Sequence, residues 1–292
     1  MENTNNDRAT ETVPDSSKLI IADQFLKALT TKDWDLLRSV ITDDITWTLP
    51  GDSSVSGKVT GIDAVVKTAT IIMNFGVALK LNHYMIALKG VALSLRGQAN
   101  QNELKLDQPL AITCSISGGK IKAINTYVLD TAQINAFFTT QNLDLLEATV
   151  ILGDKPEPVT NNESQKFALA NTFITALKGN DWDAMRSIMF ENLTWTLPGT
   201  SILSGLANGV NAVVKRAQSL KQFGVMFQLQ HIIYGMNGFT LLLHNTAKRN
   251  ELILDEYVAI VFDVKDGKIE AMTTYLSDVE GIERFFIHGI ID

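Results

Sequence analysis

The sequence predicts an α+β fold, and predicts it twice along one chain. Three observations carry this. The hexapeptide Thr-Trp-Thr-Leu-Pro-Gly stands at Thr46–Gly51 and again at Thr194–Gly199. Shorter matches keep the same offset of 148 positions: DWDLLRS from Asp33 with DWDAMRS from Asp181, AVVK from Ala64 and Ala212, FGV from Phe75 and Phe223, GKI from Gly119 and Gly267, FF from Phe137 and Phe285. Within each copy, helix-type periodicity precedes strand-type alternation, the pattern of helices segregated against an antiparallel sheet. Roughly two-fifths of the aligned residues are identical, with no insertion from about residue 18 to residue 138. The repeat unit is a whole domain.

The elements follow in order. Leu19–Leu29 places apolar residues at helical spacing, and Asp33 is suited to cap a second, short helix. In DITWTLP, Ile45, Trp47 and Leu49 alternate with polar residues, the signature of a half-buried strand. Pro50 and Gly51 stop that strand, and a glycine-bracketed loop, SGKVTG, follows. Ile62, Val65, Val66, Ala69, Ile72 and Met73 share one face of a third helix. Strand-like runs come next at 77–88, 91–99 and 103–116, and then a glycine turn into a last strand. Asp130, like Asp278 in copy two, is suited to cap a closing helix.

With 292 residues the chain has room for two cores. Residues 1–17 read as a disordered polar tail, 18–148 as the first domain, 149–163 as a linker marked by two prolines and a glycine, and 164–292 as the second domain. A net charge of −7 argues against nucleic acid as a partner. No apolar run reaches the ~20 residues needed to span a bilayer, and the start lacks the apolar core of a signal peptide, so the expected location is cytoplasmic. One cysteine, Cys114, leaves no internal disulfide, and its apolar surroundings mark it as a buried hydrophobe.

DDITWTLPG, the SGKVTG bracket, AVVK, GKI, and an aromatic and aspartate ahead of FF together resemble the SnoaL-like branch of the NTF2-like superfamily, which includes ketosteroid isomerase, polyketide cyclases and limonene epoxide hydrolase. The resemblance covers each copy nearly end to end. It implies two tandem cone-shaped α+β domains, each a curved, mostly antiparallel sheet around helices enclosing a pocket. One fold of this kind hosts many activities and non-catalytic members. Such domains often pair through their sheets, so the two copies are expected to form an internal pseudo-twofold dimer, with pairing between chains as the alternative.

Alternation nominates the pocket residues. In VALKLNHYMIAL, Leu81, His83 and Met85 share one face; in copy two, Leu229, His231 and Ile233 do. An imidazole on an apolar wall is either a general base or a core group with one satisfied hydrogen bond. Asp107 and Asp255 lie opposite the leucines of their strand, solvated if the leucines face the pocket and lining it if a bulge reverses the face. An aspartate in an apolar cavity is the isomerase type of base, with Tyr127 or Tyr275 as donor to an enolate oxygen. Trp47 and Trp195 are candidate pocket walls. No closely spaced Arg–Asp set, which epoxide hydrolysis would need, is legible; Arg96 becomes His244 in copy two. No metal-ligand cluster or glycine-rich nucleotide loop is present either, so neither metal nor cofactor is expected. The expected function is binding of a small hydrophobic ligand in each cone, extending to cofactor-free isomerase or cyclase proton transfer on a carbonyl compound. The alternative is a non-catalytic ligand-sensing or protein-interaction module.

Overall fold

The computed structural model describes residues 13–101, 103–139 and 162–287. The first copy runs α1 (Asp15–Thr31), α2 (Trp34–Val40), β1 (Ile41–Leu49), β2 (Gly57–Thr60), α3 (Ile62–Asn74), β3 (Ala78–Ala87), β4 (Gly90–Gln101), β5 (Leu104–Ser117), β6 (Lys120–Val128) and α4 (Thr131–Phe137). The second repeats it as α5 (Glu163–Gly179), α6 (Trp182–Ser187), β7 (Met189–Leu197), β8 (Gly205–Asn208), α7 (Val210–Gln222), β9 (Met226–Tyr234), β10 (Gly238–Arg249), β11 (Leu252–Lys265), β12 (Lys268–Leu276) and α8 (Val279–Phe285).

The capping residues read from the sequence do cap. Asp33, Asp130, Asp181 and Asp278 each accept a backbone N–H in the first turn of their helix, satisfying a donor that has no intrahelical partner. Two expectations change. The first helix begins at Asp15, inside the stretch expected as a tail, of which residues 1–12 lie outside the described residues; most of the expected linker, 149–161, lies outside them too. The glycine-bracketed loop is in part a strand, since Gly57–Thr60 pairs antiparallel with Thr46–Leu49.

Each domain orders its sheet β2-β1-β6-β5-β4-β3, or β8-β7-β12-β11-β10-β9, antiparallel except where β1 joins β6 and β7 joins β12. The inner face of each sheet curls around helices. Phe25 of α1 and Val65 and Ala69 of α3 are buried against Trp47, Leu93 and Ile124, and Phe173, Val213 and Ala217 do the same in domain two. Helices and sheet are further tied by a lysine in each copy. Lys18 Nζ donates to the carbonyls of Ala87 (2.9 Å) and Leu88 (3.0 Å), and Lys166 Nζ to those of Gly235 (2.7 Å) and Met236 (3.0 Å).

A third apolar cluster belongs to neither cone. Met85, Ala87, Ala111 and Tyr127 of the first domain pack against Ile233, Leu242, Ala259 and Tyr275 of the second. The outer sheet faces thus cover each other. At the corners single residues pair between domains, Val128 with Tyr234 and Ile86 with Leu276. These two pairs are interchanged by the same offset of 148 positions.

Candidate functional site

Trp47 and Trp195 line the cavities inside the two cones. Each indole is buried, and each Nε1 donates to a threonine hydroxyl on the last strand of its sheet: Trp47 to Thr126 at 2.9 Å, Trp195 to Thr274 at 2.8 Å. The rest of each wall is apolar; Leu106, Leu110 and Met73 contribute to the first, Leu254, Val258 and Phe286 to the second. The cavities left are small, about 50 Å³ and about 30 Å³. Asn245 lines the second, where copy one has Gly97, and its buried Oδ1 accepts no hydrogen bond.

The histidines and acids are elsewhere. A β-bulge in β3 puts Asn82 between Leu81, paired with Leu95, and His83, paired with Ser94. The extra residue reverses the side on which the following side chains emerge. His83 and Met85 therefore stand on the outer face, toward the partner domain, and not on the face of Leu79. Gln230 makes the same bulge in β9, which turns His231 and Ile233 outward. Met85 and Ile233 are buried in the interdomain cluster, while Leu81 and Leu229 pack against their own cores. The register of β4 with β5, and of β10 with β11, runs unbroken, so Leu106 and Leu254 face the cones and Asp107 and Asp255 face out.

On that outer face Asp107 meets Arg96, whose Nε donates to Oδ1 at 2.7 Å, and Gln98 donates at 3.1 Å. The bond from Arg96 holds the Asp107 carboxyl below the usual range. The Arg–Asp pair illegible as a sequence motif thus exists across two strands, outside the cone. In domain two His244 takes the place of Arg96, with Nε2 at 2.6 Å from Asp255 Oδ1. Tyr127 and Tyr275 are buried in the interface, and burial pushes both phenols well above their ordinary values. Cys114 is buried, and burial raises its thiol as well.

The outer faces meet around a cleft of about 390 Å³ lined by His83 and His231, with Asn82, Ser94 and Gln230. His83 stacks on Tyr257 of the other domain at 4.0 Å between ring centroids, and Tyr257 stacks in turn on His244 at 4.6 Å. Burial, reinforced by His244, holds His83 below its ordinary pKa; burial, reinforced by Arg96, does the same to His231. Tyr257 and Ser94 escaped the sequence reading because nothing local marks them; their role exists only once two domains are docked. Among the described residues no group of three or more His, Cys, Asp or Glu side chains could hold a metal, and no helix is long and apolar enough to cross a membrane.

No protein-family model and no curated protein matches the sequence. Among solved structures, the chain is similar to Bal32a from a soil-derived mobile gene cassette, at 23% identity over 42% of this chain and 97% of that one, with a TM-score of 0.40. It is similar to an NTF2-like protein from Burkholderia xenovorans at 14% identity, over 44% of this chain and 98% of that one, with a TM-score of 0.39. An LEH-like epoxide hydrolase of M. tuberculosis matches at 16% identity over 44% and 93%, with a TM-score of 0.34. Each of these spans about the length of one copy, and the chain is similar to NTF2-like structures, as its motifs imply.

Proposed function

We propose that the protein is a non-catalytic small-molecule-binding module whose cones take compact, largely apolar guests and whose two domains act as one pseudo-dimeric body. The chemistry of the cone walls carries this reading: among the described residues no ionisable side chain lines either cavity, and both indole N–H groups are already bonded to threonine. Isomerase or cyclase chemistry needs a base and a donor that both reach the reacting atoms. Asp107 and Asp255 point away from the cones, Tyr127 and Tyr275 are sealed in the interface, and His83 and His231 face the cleft.

Size narrows the guest. An apolar cavity of about 150 Å³ holds a benzene ring, so guests enter the smaller cavities here by displacing side chains, with the unbranched Met73 the most adaptable part of the first wall. In the second cone the unbonded Asn245 Oδ1 favours a guest with one O–H or N–H donor.

The test has two arms. A β,γ-unsaturated ketone incubated with the protein is expected to isomerise no faster than in buffer. Benzene is expected to shift the indole N–H resonances of Trp47 and Trp195. Turnover that Asp107→Asn or His83→Gln abolishes would overturn the non-catalytic reading; unmoved indoles at benzene saturation would overturn binding in the cones.

A further inference from the structure

The cleft between the domains is several times larger than either cone, and at about 390 Å³ it falls in the range of small-molecule sites, ~300–1,000 Å³. Its two histidines occupy equivalent positions of the two copies, so one imidazole from each domain faces the same space. Around them are the amides of Asn82 and Gln230 and the hydroxyl of Ser94, while Met85 and Leu242 of the interdomain cluster give an apolar side.

The charges are one-sided. His83 has His244 and Tyr257 as its neighbours from the other domain, and His231 has Arg96. The nearby acids are engaged elsewhere: Asp255 pairs with His244, and Asp107 pairs with Arg96 at 2.7 Å and Lys105 at 3.7 Å. Among the described residues no carboxylate lines the cavity. The wall therefore offers imidazole, amide and hydroxyl donors next to an apolar surface, and the acids nearby are already held by Arg96, Lys105 and His244.

The two sides are also unequal. Tyr257 holds His83 in a three-ring stack, whereas Pro109 occupies the equivalent position in domain one and gives His231 no ring to stack on.

We propose that this cleft binds a small organic carboxylate, its anionic end between His83 and His231 and its apolar body on Met85 and Leu242. The bound anion favours protonated imidazoles, which then donate to it. Affinity is therefore highest where both histidines carry protons and falls as pH rises.

Benzoate, with benzamide as its neutral isostere, tests this by NMR. At about pH 5.5 benzoate is expected to shift the ring resonances of His83 and His231, to bind about tenfold tighter than benzamide, and to weaken about tenfold by about pH 8. His83→Gln and His231→Gln should each reduce benzoate affinity several-fold. Equal affinity for benzamide and benzoate, or no histidine shift at the lower pH, would overturn the proposal on the unmodified protein, whatever the variants do. Benzoate shifts confined to the Trp47 and Trp195 indoles would overturn it too, by making benzoate a guest of the cones.

Discussion

Gln108 and Glu256 hold the same place in the two domains, and the difference between them sets a pH dependence. Gln108 fastens the start of α4: its Oε1 accepts from the Asp130 N–H at 2.8 Å and its Nε2 donates to the Asp130 carbonyl at 3.2 Å. Glu256 accepts from the Ser277 hydroxyl at 3.0 Å and the Asp278 N–H at 2.9 Å. Those bonds favour the carboxylate, but burial outweighs them and pushes its pKa up to about 7. The folded value thus lies above the unfolded one, so the protonated acid's contribution to stability is complete below about pH 4.3 and is lost as pH rises through about 7. Glu256→Gln, which restores the chemistry of domain one, is expected to remove this slope and to stabilise the protein above neutral pH by ~4 kcal/mol at most. Urea unfolding at about pH 5 and pH 8 measures it; identical pH slopes in the two proteins would refute the assignment. A second residue-scale expectation concerns the Trp47 indole. Thr126→Val keeps the shape but orphans a buried N–H, and should lower stability by about 1–3 kcal/mol in the same measurement.

At the scale of the element, the buried lysines are the parts whose loss is most easily read. Lys18 reaches from α1 to two carbonyls at the end of β3, one of the bonds fully buried. Lys18→Met keeps the apolar stem and removes the donor, and is expected to cost about 1–3 kcal/mol. Hydrogen exchange should locate that loss in the β3–β4 turn and α1; a uniform loss across the domain would contradict the clamp. The strands show what the sequence could and could not disclose. Caps were legible because a short acid before an apolar helical face has a local mechanism, as at Asp33 and Asp130. The alternation of β5 was legible, though not which of its two faces meets the cone; beside β4 its register runs unbroken and turns Leu106 inward. The faces of His83 and His231 were not, since a bulge inserts one residue, here Asn82 or Gln230, without any compositional mark. A different signal did exist for the covered outer face. Gly90–Leu95 is buried at every position, and a strand apolar on both sides is a strand covered on both sides.

At the scale of the whole molecule, the interface decides whether the chain behaves as two domains or one. Ile233 is fully buried, yet it belongs to the cluster shared between the domains and to neither cone. Its neighbourhood is tight: a Cβ on Gly235 would come within 2.5 Å of the Tyr127 ring, so the backbone just after β9 lies directly against the other domain's tyrosine. Wild-type protein should therefore unfold in a single calorimetric transition, because neither outer sheet face can be exposed without uncovering the other. Ile233→Asp places an unpaired charge in this seam, a change costing about 3–5 kcal/mol while the charge stays buried. The folded chain escapes most of that cost by parting the domains, since both cones keep their own cores. The expected result is two transitions in place of one, with a larger radius of gyration by small-angle scattering before the first. It should also abolish benzoate binding, because His83 and His231 would no longer face one cavity, while benzene still shifts the Trp47 indole. A variant that keeps one transition and the wild-type radius would show that the domains are not coupled through this surface, and the shared cluster would lose its place as the joint of the molecule.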